Sequence, residues 1–335
     1  MLKLVICGGG NLATVCAGFL AAQEGVSVSV LTRHPEGWSM EPVVTAPGGI
    51  CFKGHLKAVT HEPKDVVPQA DIVLLCLPAF AIEGVLTQLR ANLSPQTAVG
   101  CIVANTGFFF AAHSLLPASQ PLFGFQRVPF IARTKVYGHE AQLCGYKPQL
   151  HVAIENAADA DALRKLLEKL FHTPIQLLNN FYEASLSNSN PILHTGRLYS
   201  MWKDWQGEAY PRPIRFYDEW TVEASEMILR MDGEFMALTH HLGITEEAIP
   251  SLLTYYESTD AESLTRKIQS IEAFHGIVAP MRETPQGWVP DFGSRYFTED
   301  FPFGLRMIRE LLQCKGINAP FIEQVYQWGM SRAER

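Results

Sequence analysis

Apolar and polar positions at the start of the chain follow the order strand, helix, strand. Leu2–Cys7 is almost entirely apolar, which is typical of a strand buried on both faces of a parallel sheet. In Asn11–Gln23 the apolar side chains recur at helical spacing, and Val26–Leu31 is again strand-like. Two strands and a helix within roughly 30 residues predict one βαβ unit.

The strand-and-helix pattern continues to residue 180 and is helical after it. The further elements predicted in the first part are strand Ala70–Pro78, helix Ala81–Ala91, strands Ala98–Val103, Leu122–Val128 and Gln149–Ile154, helix Asp159–Phe171 and strand Pro174–Leu178. Those predicted in the second part are helices Asp218–Leu242, Ala261–Phe274 and Phe303–Cys314. We therefore predict an α/β Rossmann-type dinucleotide-binding domain over residues 1–180, followed by an all-helical domain over 181–335.

The second predicted domain contains one long apolar stripe, which runs from Trp220 to Leu242 at helical spacing. A stripe of this kind packs into a core or forms a subunit interface. The sequence leaves both interpretations open, and the second would make the protein a homodimer.

Composition and charge narrow the class of protein. Hydrophobic residues make up 47% of the 335 residues and charged residues 18%, so the chain can bury a sizeable core. The net charge of -7 offers no basic surface for nucleic acid, and no run of about 18 apolar residues predicts a membrane span. The seven cysteines form no CxxC pair, which favours reduced thiols in a cytoplasmic protein and no metal site.

The turn after the first strand carries the fingerprint Gly8-x-Gly10-x-x-Ala13. The first glycine allows a tight turn, the second lets a pyrophosphate approach the backbone, and the alanine lets the helix pack close to the strand. Asn11 and Leu12 are the first residues of the predicted helix, and the free N–H groups at a helix start bind phosphate. The fingerprint predicts a dinucleotide site, and a purely structural glycine turn is the alternative.

The end of the second strand bears on the choice of dinucleotide. An acidic residue there would bind the ribose 2′-hydroxyl of NAD, whereas arginine suits the 2′-phosphate of NADP. The chain has Thr32 and Arg33 at this point. NADP(H) is therefore favoured and NAD(H) remains an alternative, since Arg33 could also stack on adenine or face solvent.

Two later strands end in segments that would face the same crevice. The carboxyl ends of parallel strands surround the cofactor in this type of fold. Leu77 and Pro78 end one such strand and Ala79 follows it, and Asn105 follows the next strand. We expect these residues near the nicotinamide, although ordinary turn chemistry explains them equally well.

The segment 187–197 combines polar residues in a helical pattern. Asn190 could cap a helix that has Pro191 at its first position, and Asn190, His194 and Arg197 would then share one face. A histidine in such a position can donate a proton near neutral pH. The alternative is a buried histidine whose hydrogen bonds are satisfied.

A second cluster lies in residues 291–305. Thr298 or Asp300 could be the N-cap of the following helix, with Arg295 on the surface. Alternatively, Asp300 holds His194 by a hydrogen bond and Arg295 binds a substrate carboxylate through its planar fork. Arg127 is a second candidate anion site, and structural pairing is an equal alternative for it.

Three of these segments together resemble the opine dehydrogenase family, which includes octopine and nopaline dehydrogenases. They are the glycine fingerprint, Asn190-Pro191-x-x-His194 and the run from Ser294 to Leu305. The resemblance implies that an amino acid condenses with a 2-oxo acid and that NAD(P)H reduces the resulting imine. It also implies that His194 transfers the proton, that Asp300 is its partner and that Arg295 binds the oxo acid carboxylate.

Two other functions are compatible with the same architecture. Ketopantoate reductases and glycerol-3-phosphate dehydrogenases pair similar domains but depend on a lysine early in the helical domain. Lys203 is the only lysine between Asn180 and Lys267, and its surroundings differ from those expected. The third hypothesis is a nucleotide-sensing protein without catalysis, although such a protein would not need a proton relay.

Overall fold

The computed structural model describes residues 1–333 of the chain. They divide into two compact units, of which the first is Met1–Ser185 and the second begins at Leu186. Each unit has its own set of helices and strands.

The first unit contains twelve strands and six α-helices among its described residues. The strands are β1 (Leu2–Cys7), β2 (Val26–Leu31), β3 (Val43–Thr45), β4 (Cys51–Lys53), β5 (Ala58–Thr60), β6 (Ile72–Leu75), β7 (Ala98–Ile102), β8 (Leu122–Phe125), β9 (Phe130–Val136), β10 (Glu140–Tyr146), β11 (Leu150–Glu155) and β12 (Ile175–Leu177). The helices are α1 (Asn11–Ala21), α2 (Pro63–Val66), α3 (Ala79–Leu89), α4 (Phe108–Leu115), α5 (Ala160–Phe171) and α6 (Phe181–Leu186).

Eight of these strands form the main sheet, in the order β12-β11-β8-β7-β6-β1-β2-β5. All neighbours are parallel except β8 and β11, which are antiparallel. Cys7 pairs with Leu31 on one side and with Leu75 on the other, so β1, β2 and β6 end at the same edge of the sheet. The order reverses at β1, which is the topological switch point of a Rossmann-type fold. The Rossmann-type part of the predicted fold class is confirmed.

Strand β1 shows why its sequence is apolar throughout. Leu4 and Ile6 belong to the core on one face of the sheet, with α1 and α5, whereas Val5 and Cys7 belong to the core on the other face, with α3 and α4. A strand covered on both faces has no solvent side, so alternation of polar residues disappears.

A hairpin that the sequence did not predict follows β8. The predicted strand Leu122–Val128 ends at Phe125, and β9 and β10 then pair with each other and with β3 and β4 in a separate four-stranded sheet. Only one face of this hairpin packs on α1, where Phe130 contacts Phe19 at a ring distance of 5.9 Å. The charged residues on its other face weaken the apolar pattern, which is why it was missed.

The second unit is mainly helical. Its helices are α7 (Asn190–Trp202), α8 (Val222–His241), α9 (Leu252–Tyr255), α10 (Ala261–Ser270), a π-helical segment (Tyr296–Leu305), α11 (Arg306–Cys314) and α12 (Pro320–Ala333). The described residues also include one two-stranded hairpin, β13 (Met281–Thr284) with β14 (Gly287–Pro290). The prediction that this part of the chain is all-helical is therefore wrong at residues 281–290. Among residues 1–333 no helix has the length and apolarity required to span a membrane.

The apolar stripe of α8 is core. Ile228, Met231 and Leu238 are fully buried within the unit, and Phe235 is 6% exposed. The core interpretation therefore holds for these four residues, and a homodimer stays a prediction.

Several predicted helix boundaries were wrong. The helix predicted from Asp218 begins at Val222, because the Thr221 side chain accepts the Ala224 amide and caps it there. Asn190 is not a cap but lies inside α7, after Ser189. The helix predicted to end at Phe274 ends at Ser270, because the backbone becomes extended at the next residue.

The segment before α11 differs most from its prediction. Thr298 and Asp300 lie inside the π-helical segment and are not N-caps, and the predicted helix Phe303–Cys314 is divided at Leu305. Pro302 lies within the segment and has no amide to donate. A wider π-helical turn accommodates the missing bond.

Candidate active site

The glycine loop, Gly8–Gly10, connects β1 to α1 at the carboxyl edge of the sheet. Gly8 has φ of +136°, and a Cβ there would lie 2.5 Å from the carbonyl oxygen of Cys76. Only glycine fits this position without strain. The Ala13 methyl group lies 3.4 Å from the same point, so a larger residue in its place would crowd the turn.

The beginning of α1 has the properties of an anion site. Gly10 precedes the helix, no side chain caps it, and the first turn carries no acidic residue. Nothing lies within 4 Å of the place that a Cβ of Gly10 would occupy. The amides of Asn11 and Leu12 therefore lie beside open space at the positive end of the helix dipole, as a pyrophosphate requires.

A pocket of about 900 Å³ opens beside the glycine loop. Of the predicted cofactor residues, the pocket is lined by Gly8, Gly10, Asn11, Thr32, Arg33, Leu77 and Pro78. Ala13 is buried beneath Gly8, Leu12 is half-buried outside the lining, and Asn105 lies outside it in the turn after β7. The volume is at the upper end of the range for cofactor pockets, roughly 300–1,000 Å³. Size, loop and helix terminus fit a dinucleotide.

The wall of the pocket at the end of β2 carries one arginine, two histidines and no carboxylate among its described lining residues. Thr32 is buried and donates its amide to the carbonyl of Thr60 at 3.0 Å, whereas Arg33 is exposed. His34 and His61 also line this wall. Of the described residues that line the pocket, none is Asp or Glu. Each histidine lies 3.3 Å from the carboxylate of a neighbouring glutamate outside the lining, so Arg33 is the fixed positive charge that a 2′-phosphate would meet there.

Tyr137 contributes to the pocket from the tip of the β9–β10 hairpin. Its hydroxyl lies 3.3 Å from the Thr32 hydroxyl, and its ring meets the edge of Trp38 at 6.0 Å. The hairpin is also tied to the helix start, since the Thr134 amide donates to Asn11 Oδ1 at 2.9 Å. The sequence pattern did not indicate Tyr137, because the hairpin that carries it was not predicted.

In the second unit, His194 is hydrogen-bonded at both ring nitrogens. Nδ1 lies 2.9 Å from Oδ2 of Asp300, and Nε2 lies 3.0 Å from the hydroxyl of Tyr217. The side chains of His194 and Asp300 are 12% and 20% exposed. We call these three residues the His194 triad. The structure thus brings together the predicted pair and adds Tyr217, which the sequence reasoning missed.

Close packing of two segments makes the His194–Asp300 contact. A Cβ on Gly304 would lie 2.7 Å from Cγ of Pro191, so the glycine lets the π-helical segment rest on the first turn of α7. His194 follows Pro191 by three residues on α7, and Asp300 lies one turn before Gly304. The two motifs, distant in sequence, therefore form one packed unit.

Tyr217 sits in an aromatic stack. Its ring lies parallel to Phe274 at 4.2 Å and to Trp220 at 5.8 Å, and it meets the edge of Phe216 at 4.9 Å. Burial raises the pKa of Tyr217 well above its usual range, and the nearby Asp300 acts in the same direction. The phenol therefore stays protonated at neutral pH.

Arg197 holds the loop that carries Tyr217. It donates from Nη2 to the carbonyl of Glu219 at 2.6 Å and from Nε to the carbonyl of Phe216 at 3.3 Å. Burial lowers the pKa of Arg197 to about 10, so the guanidinium remains charged at neutral pH. The sequence placed Arg197 on one face with His194, and its observed contacts fix the loop of the triad.

Arg295 lies one residue before the π-helical segment and forms a two-bond pair with Glu299. The distances are 2.9 Å from Nε to Oε1 and 2.7 Å from Nη2 to Oε2, and the Arg295 side chain is 82% exposed. The planar fork is thus accessible but already holds one carboxylate. The neighbouring Tyr296 ring lies 4.9 Å from the ring of His194.

The remaining candidates lie elsewhere. Asn190 is half-buried, and its amide donates to Asn188 Oδ1 at 3.2 Å. Arg127 is exposed beyond the end of β8, in the first unit. Lys203, the lysine considered for a ketone reductase, follows α7 and pairs with Glu223 at 2.7 Å.

Comparison with known proteins shows which family of enzymes the chain is similar to. Residues 177–332 match the family described as NAD/NADP octopine/nopaline dehydrogenase, alpha-helical domain. The chain is 26% identical to the opine dehydrogenase of Haliotis discus hannai over 98% of its length and 89% of that protein. It is 28% identical to the tauropine dehydrogenase of Arabella iricolor, with 98% and 90% covered.

A solved structure has the same fold. Octopine dehydrogenase with NADH and L-arginine superposes with a TM-score of 0.88 at 25% identity, covering 99% of this chain and 89% of that one. The similarity extends over both units of the chain, which confirms the resemblance inferred from three short segments.

Proposed function

The chain is an NAD(P)-dependent oxidoreductase related to the opine dehydrogenases, and we propose from this premise that it joins an amino acid to a 2-oxo acid by reductive condensation. The amine and the carbonyl form an imine with loss of water. Reduction of that imine gives a secondary amine that carries the carboxylates of both substrates.

The observation that carries the proposal is the hydrogen bond between His194 and Asp300. An ionised carboxylate only accepts hydrogen bonds, so Asp300 keeps the hydrogen of the imidazole on Nδ1 and orients the ring. His194 can then take up a proton and release it for the new N–H bond of the product. A dinucleotide supplies the hydride when it is bound.

The substrate carboxylate is assigned to Arg295. Its planar guanidinium suits a carboxylate with two parallel bonds, and Glu299 already occupies it in this manner. A substrate carboxylate would exchange with that of Glu299. Asn190 and Arg127 stay predictions, the first as a polar contact and the second as another anion site.

For the dinucleotide we propose a preference for NADP(H). The glycine loop and the amides of Asn11 and Leu12 would hold the pyrophosphate, while Ala13 supports the turn from beneath. Leu77 and Pro78 would lie at the nicotinamide end, with Asn105 a further candidate there. Thr32 and Arg33 would face the 2′-phosphate, and no carboxylate among the described lining residues opposes it.

The proposal is tested with a matrix of amino acids against 2-oxo acids, followed by the absorbance of NADPH and NADH. L-arginine, present in the octopine dehydrogenase structure, and pyruvate are the starting pair. We expect oxidation of the dinucleotide only when both substrates are present. Oxidation with an oxo acid alone would favour a ketone reductase, and dinucleotide binding without turnover on any pair would favour a sensor.

The active pair then tests the assignment of His194. His194→Ala should lower the rate by roughly 100-fold or more, since general acid–base catalysis contributes about 10²–10⁴-fold. Dinucleotide binding, measured by fluorescence, should stay unchanged. His241→Ala, which removes an exposed histidine at the end of α8, is the matched control. Undiminished turnover of His194→Ala would reject the assignment.

A further inference from the structure

His194 has no uncommitted ring nitrogen for a substrate. Nδ1 is bonded to Asp300 and Nε2 to the hydroxyl of Tyr217. Because Asp300 is an acceptor, Nδ1 carries the hydrogen, and Nε2 of the neutral ring must accept the hydroxyl hydrogen of Tyr217. A proton that leaves the ring from Nε2 therefore meets Tyr217 first.

Tyr217 cannot readily move aside to uncover Nε2. Phe274 and Trp220 lie parallel to its ring at 4.2 Å and 5.8 Å, and the residue is only 6% exposed. Its loop is fixed by the two bonds from Arg197 to the carbonyls of Phe216 and Glu219. Rotating the phenol away would break the stack and leave its hydroxyl to find a new partner.

We propose that Tyr217 is a catalytic residue that passes the proton between Nε2 of His194 and the nitrogen of the imine. This inference rests on the proposed function. Before transfer, the imidazolium donates from Nε2 to the Tyr217 oxygen, and the Tyr217 hydroxyl donates to the imine nitrogen. The O–H bond breaks as the N–H bond of the product forms, while the Tyr217 oxygen takes the Nε2 proton.

The end state of this transfer is the arrangement seen in the structure. His194 is neutral, Nδ1–H still donates to Asp300, and the renewed Tyr217 hydroxyl donates to Nε2. The hydride is delivered to the imine carbon, so charge and atoms balance. Solvent then restores the imidazolium, and the 12% exposure of the His194 side chain allows this. A free phenolate never forms, in accord with the raised pKa of Tyr217.

The competing interpretation makes Tyr217 a placeholder. In that case the phenol only satisfies Nε2 until the imine displaces it, and His194 donates directly. The two interpretations differ in the effect of removing the hydroxyl, since a placeholder competes with substrate whereas a relay is required for turnover.

Tyr217→Phe keeps the aromatic stack and removes only the hydroxyl. Single-turnover oxidation of NADPH or NADH should slow by about 100-fold or more, with the KM of both substrates changed little. Tyr199→Phe is the matched control, because Tyr199 is also a buried tyrosine of this unit and accepts a 2.6 Å bond from Gln324. This control should stay within about 3-fold of the parent enzyme.

The number of protons that move during the proton-transfer step gives a second readout. In mixtures of light and heavy water, the relay predicts a curved dependence of the single-turnover rate on deuterium fraction, since two protons move. Residual turnover of Tyr217→Phe should show a linear dependence. An unchanged or faster rate, a lower KM or a linear dependence in the parent enzyme would overturn the relay and support the placeholder.

The spectrum of the imidazole separates failure of the relay from failure of the proposed function. Nitrogen-15 shifts of His194 in the parent protein, recorded at a pH alkaline enough to make the ring neutral, should place its hydrogen on Nδ1, and Tyr217→Phe should shift the Nε2 resonance. If no substrate pair turns over but the shifts behave in this way, the hydrogen bonds of the His194 triad are supported and the proposed reaction is wrong. If turnover occurs but the Nε2 shift is the same in Tyr217→Phe, the proposed function is supported and the proton relay is wrong.

Discussion

The glycine loop and the His194 triad differ in how far apart their residues lie along the chain. The loop comes from one continuous segment, in which β1, Gly8–Gly10 and α1 follow one another. The triad draws on three segments, with Tyr217 and Asp300 lying 23 and 106 residues from His194 along the chain. The loop is therefore set by local backbone geometry, whereas the triad exists only once distant segments have packed.

This difference means that the two halves of the proposed reaction can be disabled separately. A strained glycine or a missing cation should affect the binding of the dinucleotide. A lost hydrogen bond in the triad should affect the proton transfer and leave that binding intact.

The largest effect is expected for Asp300→Asn. The amide can donate as well as accept, so it no longer requires the Nδ1–H form of His194, and the ring loses a charged hydrogen-bond acceptor. We expect the turnover rate with a productive substrate pair to fall by roughly 10²–10⁴-fold. Dinucleotide binding, followed by fluorescence titration, should remain unchanged.

Asp204→Asn is the control for this change, since Asp204 is an exposed carboxylate of the same unit. Equal losses in both variants would show that net charge, and not the contact with His194, is responsible. A loss of dinucleotide affinity in Asp300→Asn would remove the proposed separation of the two halves.

The same contrast explains which features could be predicted from the sequence. The boundaries of β1 and β2 were predicted to the residue, because an apolar strand, a glycine turn and an amphipathic helix are all local patterns. The π-helical segment was predicted as an N-cap followed by a helix, since its wider turn depends on Pro302 and on packing against α7.

The hydroxyl groups of Tyr137 and Tyr217 were missed for a related reason. Each lies in an irregular segment, one at the tip of an unpredicted hairpin and the other between α7 and α8. Their importance comes from partners distant in sequence, Thr32 for the first and His194 for the second. The pairing of His194 with Asp300 was suggested by the family resemblance, and spacing alone left it open.

An intermediate effect is expected where the triad depends on packing. Gly304→Ala places a methyl group 2.7 Å from Cγ of Pro191, which should push the π-helical segment away from α7. Overpacking of this kind costs about 1–3 kcal/mol. Denaturant unfolding should report that loss, and turnover should fall with it because Asp300 moves away from His194.

Gly233→Ala provides the comparison within the same unit. Gly233 lies inside α8, and nothing lies within 4 Å of the place that its Cβ would take. Alanine there should stabilise the protein by up to about 1 kcal/mol, because it favours the helix. Similar changes in the free energy of unfolding for both variants would contradict the packing argument.

The smallest effect is expected at Arg33, in the pocket beside the glycine loop. Arg33→Ala removes the cation that we assign to the 2′-phosphate. The Kd for NADPH should therefore rise by about 10-fold, or 1.4 kcal/mol, whereas the Kd for NADH should stay within about 2-fold. Arg90→Ala removes an equal charge from the exposed end of α3 and should change neither value. Because Arg33 stands at the end of β2 beside the glycine loop, its effect should be confined to binding and leave the triad untouched. Equal weakening of both dinucleotides would mean that Arg33 supports the adenosine in general, and the preference for NADP(H) would then be wrong.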